Sequence, residues 1–179
     1  MSLVIACLVV FGVLILWFMY TYNIFASKQQ RIDDWWDEVD IHLKLRHELV
    51  PNILGKASSL MGGETRTLDR IAELSERSLD DAHESDFEFL ENGLSIALHD
   101  LTTAFKNNRD LMMDSDFLRL MGELVSLEGR ASTACKEHNM LVSDFNVAIK
   151  RFPANLVVGL LHFKPREMRI FVGPDGSSA

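Results

Sequence analysis

The feature that most constrains this chain is an apolar run of twenty residues near its N-terminus, from Leu3 to Tyr22. Residues 1–27 contain no Lys, Arg, Asp or Glu, so every charged side chain lies further along the chain. An α-helix of twenty residues is about 30 Å long, which equals the hydrocarbon thickness of a bilayer. Inside lipid, a helix satisfies every backbone hydrogen bond of such a segment. We therefore predict a transmembrane helix over residues 3–22, within an N-terminal anchor of residues 1–27.

A cleaved signal peptide is the main alternative to this anchor, and a buried core helix is a second one. A signal peptide begins with a basic region and ends with small residues before its cleavage site. Here no basic residue precedes the apolar run, and Ile24 and Ala26 make a poor cleavage site. Aromatic residues at the C-terminal end of the run are typical of a membrane interface. We therefore favour an uncleaved anchor that contacts the lipid bilayer through residues 3–22.

The flanking charges predict how the anchor is oriented. Lys28 and Arg31 follow the apolar run, and no Lys or Arg precedes it. Because basic flanks stay on the cytoplasmic side of a membrane, we expect a short N-terminus outside and a cytoplasmic C-terminal domain. Cys7 lies within the run and Cys135 far along the domain, so we expect no disulfide between them, as suits a cytoplasmic domain.

Helical periodicity predicts that the rest of the chain is all-α. Apolar residues recur every three or four positions in four segments. We assign these segments to helices over residues 28–61, 65–79, 87–107 and 115–151. Ser115 is a suitable N-cap for the last helix. Pro51 lies inside the first helix, where we expect a local kink because the periodicity resumes beyond it.

Short connections between the four helices predict antiparallel neighbours. The expected fold is therefore an N-terminal transmembrane helix followed by an antiparallel up-and-down four-helix bundle, residues 28–151, with a long first helix. The core positions of the first helix are Ile32, Trp36, Val39, Leu43, Val50, Ile53, Ala57 and Leu60. Those of the last helix are Leu118, Met121, Leu124, Leu127, Ala131, Ala134, His138, Leu141, Val142, Phe145 and Ile149.

The C-terminal segment differs from the bundle in its charge. Residues 150–179 carry 5 basic and 2 acidic side chains, whereas residues 28–149 carry 13 basic and 24 acidic ones. We predict that residues 152–172 form a membrane-proximal segment whose apolar side enters the headgroup layer. Its cations, which would face anionic lipid, are Lys164, Arg166 and Arg169. The alternative is a short helix that caps the open end of the bundle. Residues 173–179 have the composition of a disordered tail.

Two separated motifs resemble those of a known family. Tyr22-Asn23, followed by WWDEVDIHLKLRHELVPNIL over residues 35–54, resembles the first signature of the LemA family. The second signature combines an acidic residue, two Tyr-Asn pairs and a Phe-Pro pair. Its matching positions here are Glu128, Asn139, Asn146, Ile149, Phe152, Pro153 and Asn155. His138 and Phe145 stand where the family prefers tyrosine, so the chain resembles a divergent member.

The resemblance implies a single-pass protein of the bacterial inner membrane with a cytoplasmic antiparallel four-helix domain. It implies little about activity, because the biochemical role of the family is poorly defined. The motif residues to which it assigns a structural role are Arg46, Pro51, Asn52, Glu128, Asn139, Asn146, Phe152 and Pro153.

Several of these polar residues lie on or beside apolar stripes. If antiparallel helices place residue 150 level with residue 28, then Arg46 faces the neighbourhood of residue 132, about one turn from Glu128. A buried Arg–Glu pair is maintained only when close geometry and further hydrogen bonds offset its desolvation. We interpret these residues as setting helix register, as a buried Asn does in a coiled coil. A ligand or ion site inside the bundle, and simple solvent exposure, are the alternatives.

The sequence contains no recognisable catalytic motif. Phosphate-loop, dinucleotide-binding, zinc-protease and nucleophile-elbow signatures are all missing. Cys135 and His138 could share a metal on one helix face, but two ligands alone do not make a site. A net charge of -8 argues against a nucleic-acid partner. We therefore expect no catalytic residues, no cofactor and no metal.

The function that fits these features is that of a non-enzymatic membrane scaffold. The cytoplasmic bundle would offer its surface for self-association or for a helical protein partner. The alternatives are an adaptor or regulatory subunit of a larger membrane complex and an envelope-signalling sensor, which would need a cavity in the bundle.

Overall fold

A computed structural model describes residues 1–61, 65–80, 84–106 and 109–171. These residues are predominantly helical and form no β-strand, so the prediction of an all-α protein with a long first helix is confirmed. The helices are α1 (Ser2–Met61), α2 (Thr65–Asp80), α3 (Glu84–Lys106), α4 (Arg109–Met113), α5 (Ser115–Ala148) and α6 (Ala154–Leu161). The short helix α4 was not predicted, and α6 lies within residues 152–172, where a short helix was the alternative to a membrane-proximal segment. The Gly62-Gly63 helix end and the predicted tail of residues 173–179 lie outside the described residues.

Helix α1 is a single element of 60 residues that contains both the apolar run and the polar region after it. It continues through Pro51 to Met61, so the proline does not end the helix, and the local kink expected there stays a prediction. Within the described part of the chain, α1 alone is long and apolar enough to cross a membrane. None of its most apolar stretch is buried within the protein.

The chain divides into two compact units, to which α1 and α5 both contribute. The first unit contains Met1–Trp35 and Glu137–Met168. The second unit contains Trp36–Lys136 and the segment that begins at Arg169. The predicted boundaries at residues 27, 151 and 172 stay predictions.

The core of the first unit is small and rich in aromatic rings. Its buried apolar residues are Phe25, Ile32, Val142, Phe145, Ile149 and Val158. Phe25 meets Phe145 edge-on with ring centroids 6.0 Å apart, and the half-buried Phe163 lies 5.9 Å from Phe25 and 6.5 Å from Phe145. Aromatic pairs at these distances contribute more than their buried area alone.

The core of the second unit is larger and mainly aliphatic. Residues from five helices form it: Val50, Ile53, Ala57, Leu68, Ile71, Leu94, Ala97, Leu98, Leu101, Leu111, Phe117, Leu120, Met121 and Leu124. Most of the predicted core positions are buried, but Leu118 is exposed. Phe117 takes the core position instead, because it shares a face with Leu120, Met121 and Leu124 at the helical spacing of three and four.

The N-cap of α5 is Asp114, one residue before the predicted Ser115. The backbone N–H of Phe117 donates a hydrogen bond of 2.9 Å to Asp114 Oδ1, which satisfies one of the free donors of the first turn. Lys56 Nζ lies 3.0 Å from the other oxygen, Oδ2. The hydrogen bond from Phe117, followed by that from Lys56, lowers the pKa of Asp114 below its ordinary value.

We expect Asp114→Ala to lower the midpoint of thermal unfolding, because the variant loses both the cap and the Lys56 contact. Asp116→Ala is the matched control, since Asp116 is exposed and lies 3.7 Å from Lys56. A lowered pKa means that the carboxylate stabilises the fold above the ordinary aspartate range and loses this effect as the pH falls through its folded-state value. The difference between wild type and Asp114→Ala should therefore shrink in acid, as followed by circular dichroism of the full chain in mild detergent.

Candidate functional site

A fully buried arginine lies at the centre of the second unit. Arg46 is on α1 between the buried Leu43 and Val50, and only 1% of its surface is exposed. It interrupts the apolar stripe of α1 at a position that an aliphatic residue would otherwise occupy. The free energy of burying a guanidinium is unfavourable unless its charge is paired and its N–H groups are hydrogen-bonded. Its partners therefore define the site.

Two buried glutamates pair with Arg46. Glu91 on α3 is 2% exposed and forms an ion pair through its Oε2 with Arg46 Nη2. Glu128 on α5 is 4% exposed, and its Oε1 lies 3.5 Å from Arg46 Nη1. Nη1 also donates a hydrogen bond to Ser95 Oγ. One guanidinium thus connects three helices, and the contact with Glu91 is the closer of the two ion pairs.

Glu91 receives a second set of hydrogen bonds through its other oxygen, Oε1. His47 Nε2 lies 2.7 Å from Oε1, and the Ser78 hydroxyl also donates to it. Because an ionised carboxylate is only an acceptor, His47 donates this hydrogen bond through its Nε2–H group. Nδ1 of His47 lies 3.1 Å from Ser75 Oγ, a hydroxyl that both donates and accepts. These contacts bring α2 into the same network.

The C-terminal segment covers the arginine from another side. The Phe171 ring is buried, and its centroid lies 5.8 Å from Cζ of Arg46, within the range of a cation–π interaction. Within the described residues, Arg46 Nε has no hydrogen-bond partner. The ring thus lies beside a guanidinium whose Nη1 and Nη2 groups have hydrogen-bond acceptors and whose Nε has none.

The pKa values of the two glutamates shift in opposite directions. Burial is the largest influence on the pKa of Glu91 and raises it, but the His47 hydrogen bond, the Arg46 and His47 charges and the Ser78 hydrogen bond together outweigh burial. The pKa of Glu91 therefore falls below its ordinary value. Burial also dominates at Glu128, where the attraction of Arg46 offsets it only in part, so the pKa of Glu128 is raised. The two carboxyls share one cation, and Glu91 holds it more closely.

The hydrogen-bonding groups of this cluster contact one another. The carboxylate oxygens of Glu91 are occupied by donors from Arg46, His47 and Ser78, so they are not open to a substrate. Within the described residues, no group of three or more His, Cys, Asp or Glu side chains is placed to hold a metal ion. The contacts of the cluster connect α1, α2, α3 and α5 in the second unit.

The other motif residues lie elsewhere. Pro51 and Asn52 are exposed on α1, although Asn52 lines a surface groove of the second unit. Phe152 and Pro153 are exposed before α6. Asn139 is half-buried in the first unit. The structure therefore brings Arg46 and Glu128 together but does not gather the remaining motif residues around them.

Asn146 has a defined role in the first unit. Its Nδ2 donates to the backbone carbonyl of Arg166 at 2.8 Å, and its Oδ1 accepts from the backbone N–H of Arg166 at 2.9 Å. An amide side chain can make this paired contact because it carries both a donor and an acceptor. Asn146 therefore fixes the extended segment that follows α6.

The three predicted membrane-surface cations have different environments. Lys164 is exposed, and Arg166 forms an ion pair with Asp33 at 3.0 Å, both in the first unit. Arg169 belongs to the second unit, where it pairs with Glu88 at 3.2 Å and lies 4.9 Å from the centroid of the Trp36 ring. Their contact with lipid stays a prediction.

Sequence reasoning missed several members of the buried cluster, above all Glu91, His47 and Phe171. Glu91 directly follows the buried Leu90 and lies three residues before the buried Leu94, so its position on the apolar face of α3 was a readable signal. His47 gave a weaker signal, since it only adjoins Arg46 in sequence. Nothing in the local pattern indicated that Phe171 would contact a residue on α1.

Taken together, these features define an all-helical protein with one candidate membrane-spanning helix and a buried arginine–glutamate cluster. The chain belongs to the LemA family, whose family model matches residues 35–173 and therefore most of the chain. This finding confirms the resemblance described above. No curated protein matches the chain. The LemA family is not known as a family of enzymes.

We expect Arg46→Ala to lower the free energy of unfolding by about 3–5 kcal/mol, because the variant leaves two buried carboxyls without their cation. The matched control is Arg119→Ala, which removes an exposed arginine paired with Glu123 one turn away on α5. Exposed pairs of this kind contribute about 0.3–0.5 kcal/mol. Urea unfolding of the full chain in mild detergent measures both. Equal effects of the two variants would contradict the importance of the buried cluster.

The opposite pKa shifts predict opposite effects of neutralising each glutamate. At neutral pH, Glu91→Gln should destabilise the protein by roughly 3 kcal/mol, whereas Glu128→Gln should change its stability by less than about 1 kcal/mol. A lowered pKa stabilises the fold above the ordinary glutamate value, so the Glu91→Gln deficit should shrink as the pH falls below that value. A raised pKa means that wild type loses stability as the pH rises from the ordinary glutamate value to the raised folded-state value, so Glu128→Gln should gain relative to wild type over that range.

The measurement is urea unfolding of both variants and wild type from acidic to neutral pH. Glutamine keeps the size of the side chain, so the comparison isolates the charge. If both variants showed the same pH dependence, the two carboxyls would not differ in the way described.

Proposed function

We propose that this protein is a non-enzymatic, single-pass membrane protein whose cytoplasmic helical domain is a scaffold for self-association or for a helical partner. The observation that carries this proposal is an open groove on the surface of the second unit. Support for the absence of catalysis comes from the occupied carboxylates of the buried cluster and from a family that is not known for enzymes.

The membrane part of the proposal is that residues 3–22 cross the bacterial inner membrane with the N-terminus outside. Its support is the length and apolar character of α1, together with the exposure of nearly all of its large apolar side chains between Leu3 and Tyr22. Exposed apolar surface of this extent is typical of a segment that contacts lipid. The basic residues Lys28 and Arg31, which follow the run, favour a cytoplasmic C-terminal domain.

We further propose that α1, α2, α3 and α5 of the second unit pack as an antiparallel four-helix bundle. The order of the ion pairs between α1 and α5 supports this arrangement. Arg46 contacts Glu128, whereas Lys56, further along α1, contacts Asp114 just before α5. Later residues of one helix thus meet earlier residues of the other, as antiparallel neighbours do. The short connections between α1, α2 and α3 fit the same topology.

The groove has the shape and chemistry of a helix-binding surface. It has a volume of about 490 Å³, and side chains of α1 and α5 line it. Leu45, Leu49 and Leu127 provide apolar surface, and Leu45 is 42% exposed. Glu48, Asn52, Glu123, Ser126 and Arg130 supply the polar lining.

The spacing of the lining residues gives the groove its direction. Leu45, Leu49 and Asn52 follow one another at intervals of four and three on α1, and Glu123, Leu127 and Arg130 do so on α5. Each helix therefore presents one continuous face over about two turns. Grooves of this kind bind the apolar face of an amphipathic helix.

The test is the mass of the full chain, extracted in mild detergent and corrected for bound detergent, for wild type and for Leu45→Gln. If the groove mediates self-association, wild type should form a discrete oligomer, and Leu45→Gln should weaken its association by roughly tenfold through the loss of one apolar contact. Leu118→Gln is the matched control, because Leu118 is 45% exposed on α5 but does not line the groove.

Three outcomes are informative. An oligomer that both variants weaken equally would remove the groove as the contact surface. A monomer for all three proteins would exclude self-association and favour the adaptor subunit, whose partner would then be captured with wild type and lost with Leu45→Gln. Release of the protein from membranes by an alkaline carbonate wash would contradict the anchor itself.

A further inference from the structure

A pocket in the first unit has no role in the proposed scaffold. It has a volume of about 560 Å³, and residues from α1, from the end of α6 and from the segment after α6 line it. Tyr22 and Gln29 come from α1, and His162, Phe163, Lys164 and Arg166 come from the C-terminal segment. We call it the Tyr22–Arg166 pocket. We propose that this pocket binds the phosphate group of an anionic phospholipid.

The polar side chains that line the pocket can all donate hydrogen bonds to an anion. Tyr22 carries a hydroxyl, Gln29 an amide NH₂, His162 a ring N–H, Lys164 an ammonium and Arg166 a guanidinium, and every one of them can donate to an anion. None of the lining residues is an aspartate or glutamate. Five donor side chains around one pocket, two of them permanent cations, match the chemistry of a phosphate rather than that of a cation or a neutral ligand.

Both cations of the pocket, Lys164 and Arg166, retain N–H groups that can donate to a ligand. Arg166 contacts Asp33 through Nη2 alone, at 3.0 Å to Oδ1 and 3.3 Å to Oδ2, which leaves Nη1 and Nε for another acceptor. Lys164 is exposed and forms no ion pair with any residue in the described part of the chain. The Asp33 pair holds the guanidinium in place without using its full donor capacity.

Side-chain contacts hold the backbone around the pocket in place. Asn146 binds both the carbonyl and the N–H of Arg166 through the paired hydrogen bonds described above. The Phe163 ring lies 6.4 Å from that of Tyr22 and 5.9 Å from that of Phe25. His162 ends α6 in a left-handed conformation, with φ of 56°, which turns the chain into the extended segment. Packing therefore fixes the backbone that carries both cations.

The depth of the pocket in the membrane also fits a lipid phosphate; this point rests on the transmembrane span in the proposed function. Tyr22 ends the apolar run, and Gln29 lies about 10 Å further along α1 at the helical rise of 1.5 Å per residue. The headgroup layer begins at the edge of the hydrocarbon and is several ångströms thick. If residues 3–22 span the hydrocarbon, the Tyr22–Arg166 pocket is level with the lipid phosphates. Anionic lipids of the cytoplasmic leaflet attract cations at this depth.

Lys164 and Arg166 line the pocket and Arg169 does not, although all three lie in one basic stretch. Arg169 does not line the pocket, and it already pairs with Glu88 and stacks on Trp36. The inference is thus specific to two of the three cations.

The test measures the preference of the full chain for phosphatidylglycerol over phosphatidylcholine. The protein is reconstituted into equimolar vesicles of the two lipids, in which one or the other carries brominated chains that quench tryptophan fluorescence. All three tryptophans, Trp17, Trp35 and Trp36, lie close in sequence to Tyr22. Wild type should prefer phosphatidylglycerol by about thirtyfold, since each of the two cations near an anionic surface contributes a factor of roughly five.

The double variant Lys164→Gln/Arg166→Gln should lose this preference, and Lys164→Gln alone should lose part of it without disturbing the Asp33 pair. The matched control is Lys150→Gln/Arg151→Gln. It removes the same charge from two exposed residues of the first unit that do not line the pocket, and its preference should stay close to that of wild type. Equal losses in the two double variants would overturn the pocket in favour of general surface charge.

Two further arms separate the sources of failure. Low millimolar inorganic phosphate, compared with chloride at equal ionic strength, should leave the preference intact; if it abolishes the preference, the site takes a soluble phosphate and the lipid assignment is wrong. Flotation with pure phosphatidylcholine vesicles reports the anchor alone. A chain that floats but shows no lipid preference contradicts only the pocket, whereas a chain that does not float contradicts the proposed function.

Discussion

The second unit depends on the burial of one guanidinium. Arg46 is almost completely withdrawn from water, and its charge must be matched by groups on neighbouring helices. Aliphatic contacts among the core residues of these helices are non-directional, so they favour packing without choosing one alignment. The N–H groups of Arg46 are directional, and they meet Glu91 on α3 and Glu128 on α5 in one arrangement. A buried polar group of this kind can set helix register, which an apolar core leaves open.

The first unit is held together by aromatic packing and side-chain hydrogen bonds rather than by a buried ion pair. Its core uses aromatic rings, and the segment after α6 is held by the paired hydrogen bonds from Asn146. Neither device needs a buried charge. Arg166 and Asp33 form an ion pair in this unit that is exposed and contributes little to stability in water. The pair holds the Arg166 guanidinium beside the Tyr22–Arg166 pocket.

Much of the fold was readable from the sequence because helical periodicity is local. The four long segments were predicted with ends close to those of α2, α3 and α5 and to the C-terminal end of α1, and an assumed antiparallel register placed Arg46 about one turn from Glu128. Errors arose where two neighbouring residues suit the same role. Asp114 and Ser115 are both good N-caps, and Phe117 and Leu118 are both apolar. Asp114 is the cap because its side chain accepts the hydrogen bond from the Phe117 backbone N–H. Phe117 is the core residue because its side chain packs among the buried residues of the second unit.

By itself, the sequence determined the apolar run, the helical segments and the two motifs that mark the LemA family, because these depend on residue type and spacing along the chain. Only the tertiary structure decided that Glu91 is the closer partner of Arg46, that the pKa values of Glu91 and Glu128 move apart, and that Phe171 covers the guanidinium. Burial and the distance between charges set these properties. Both are fixed by residues far apart in the sequence, so no local pattern contains them.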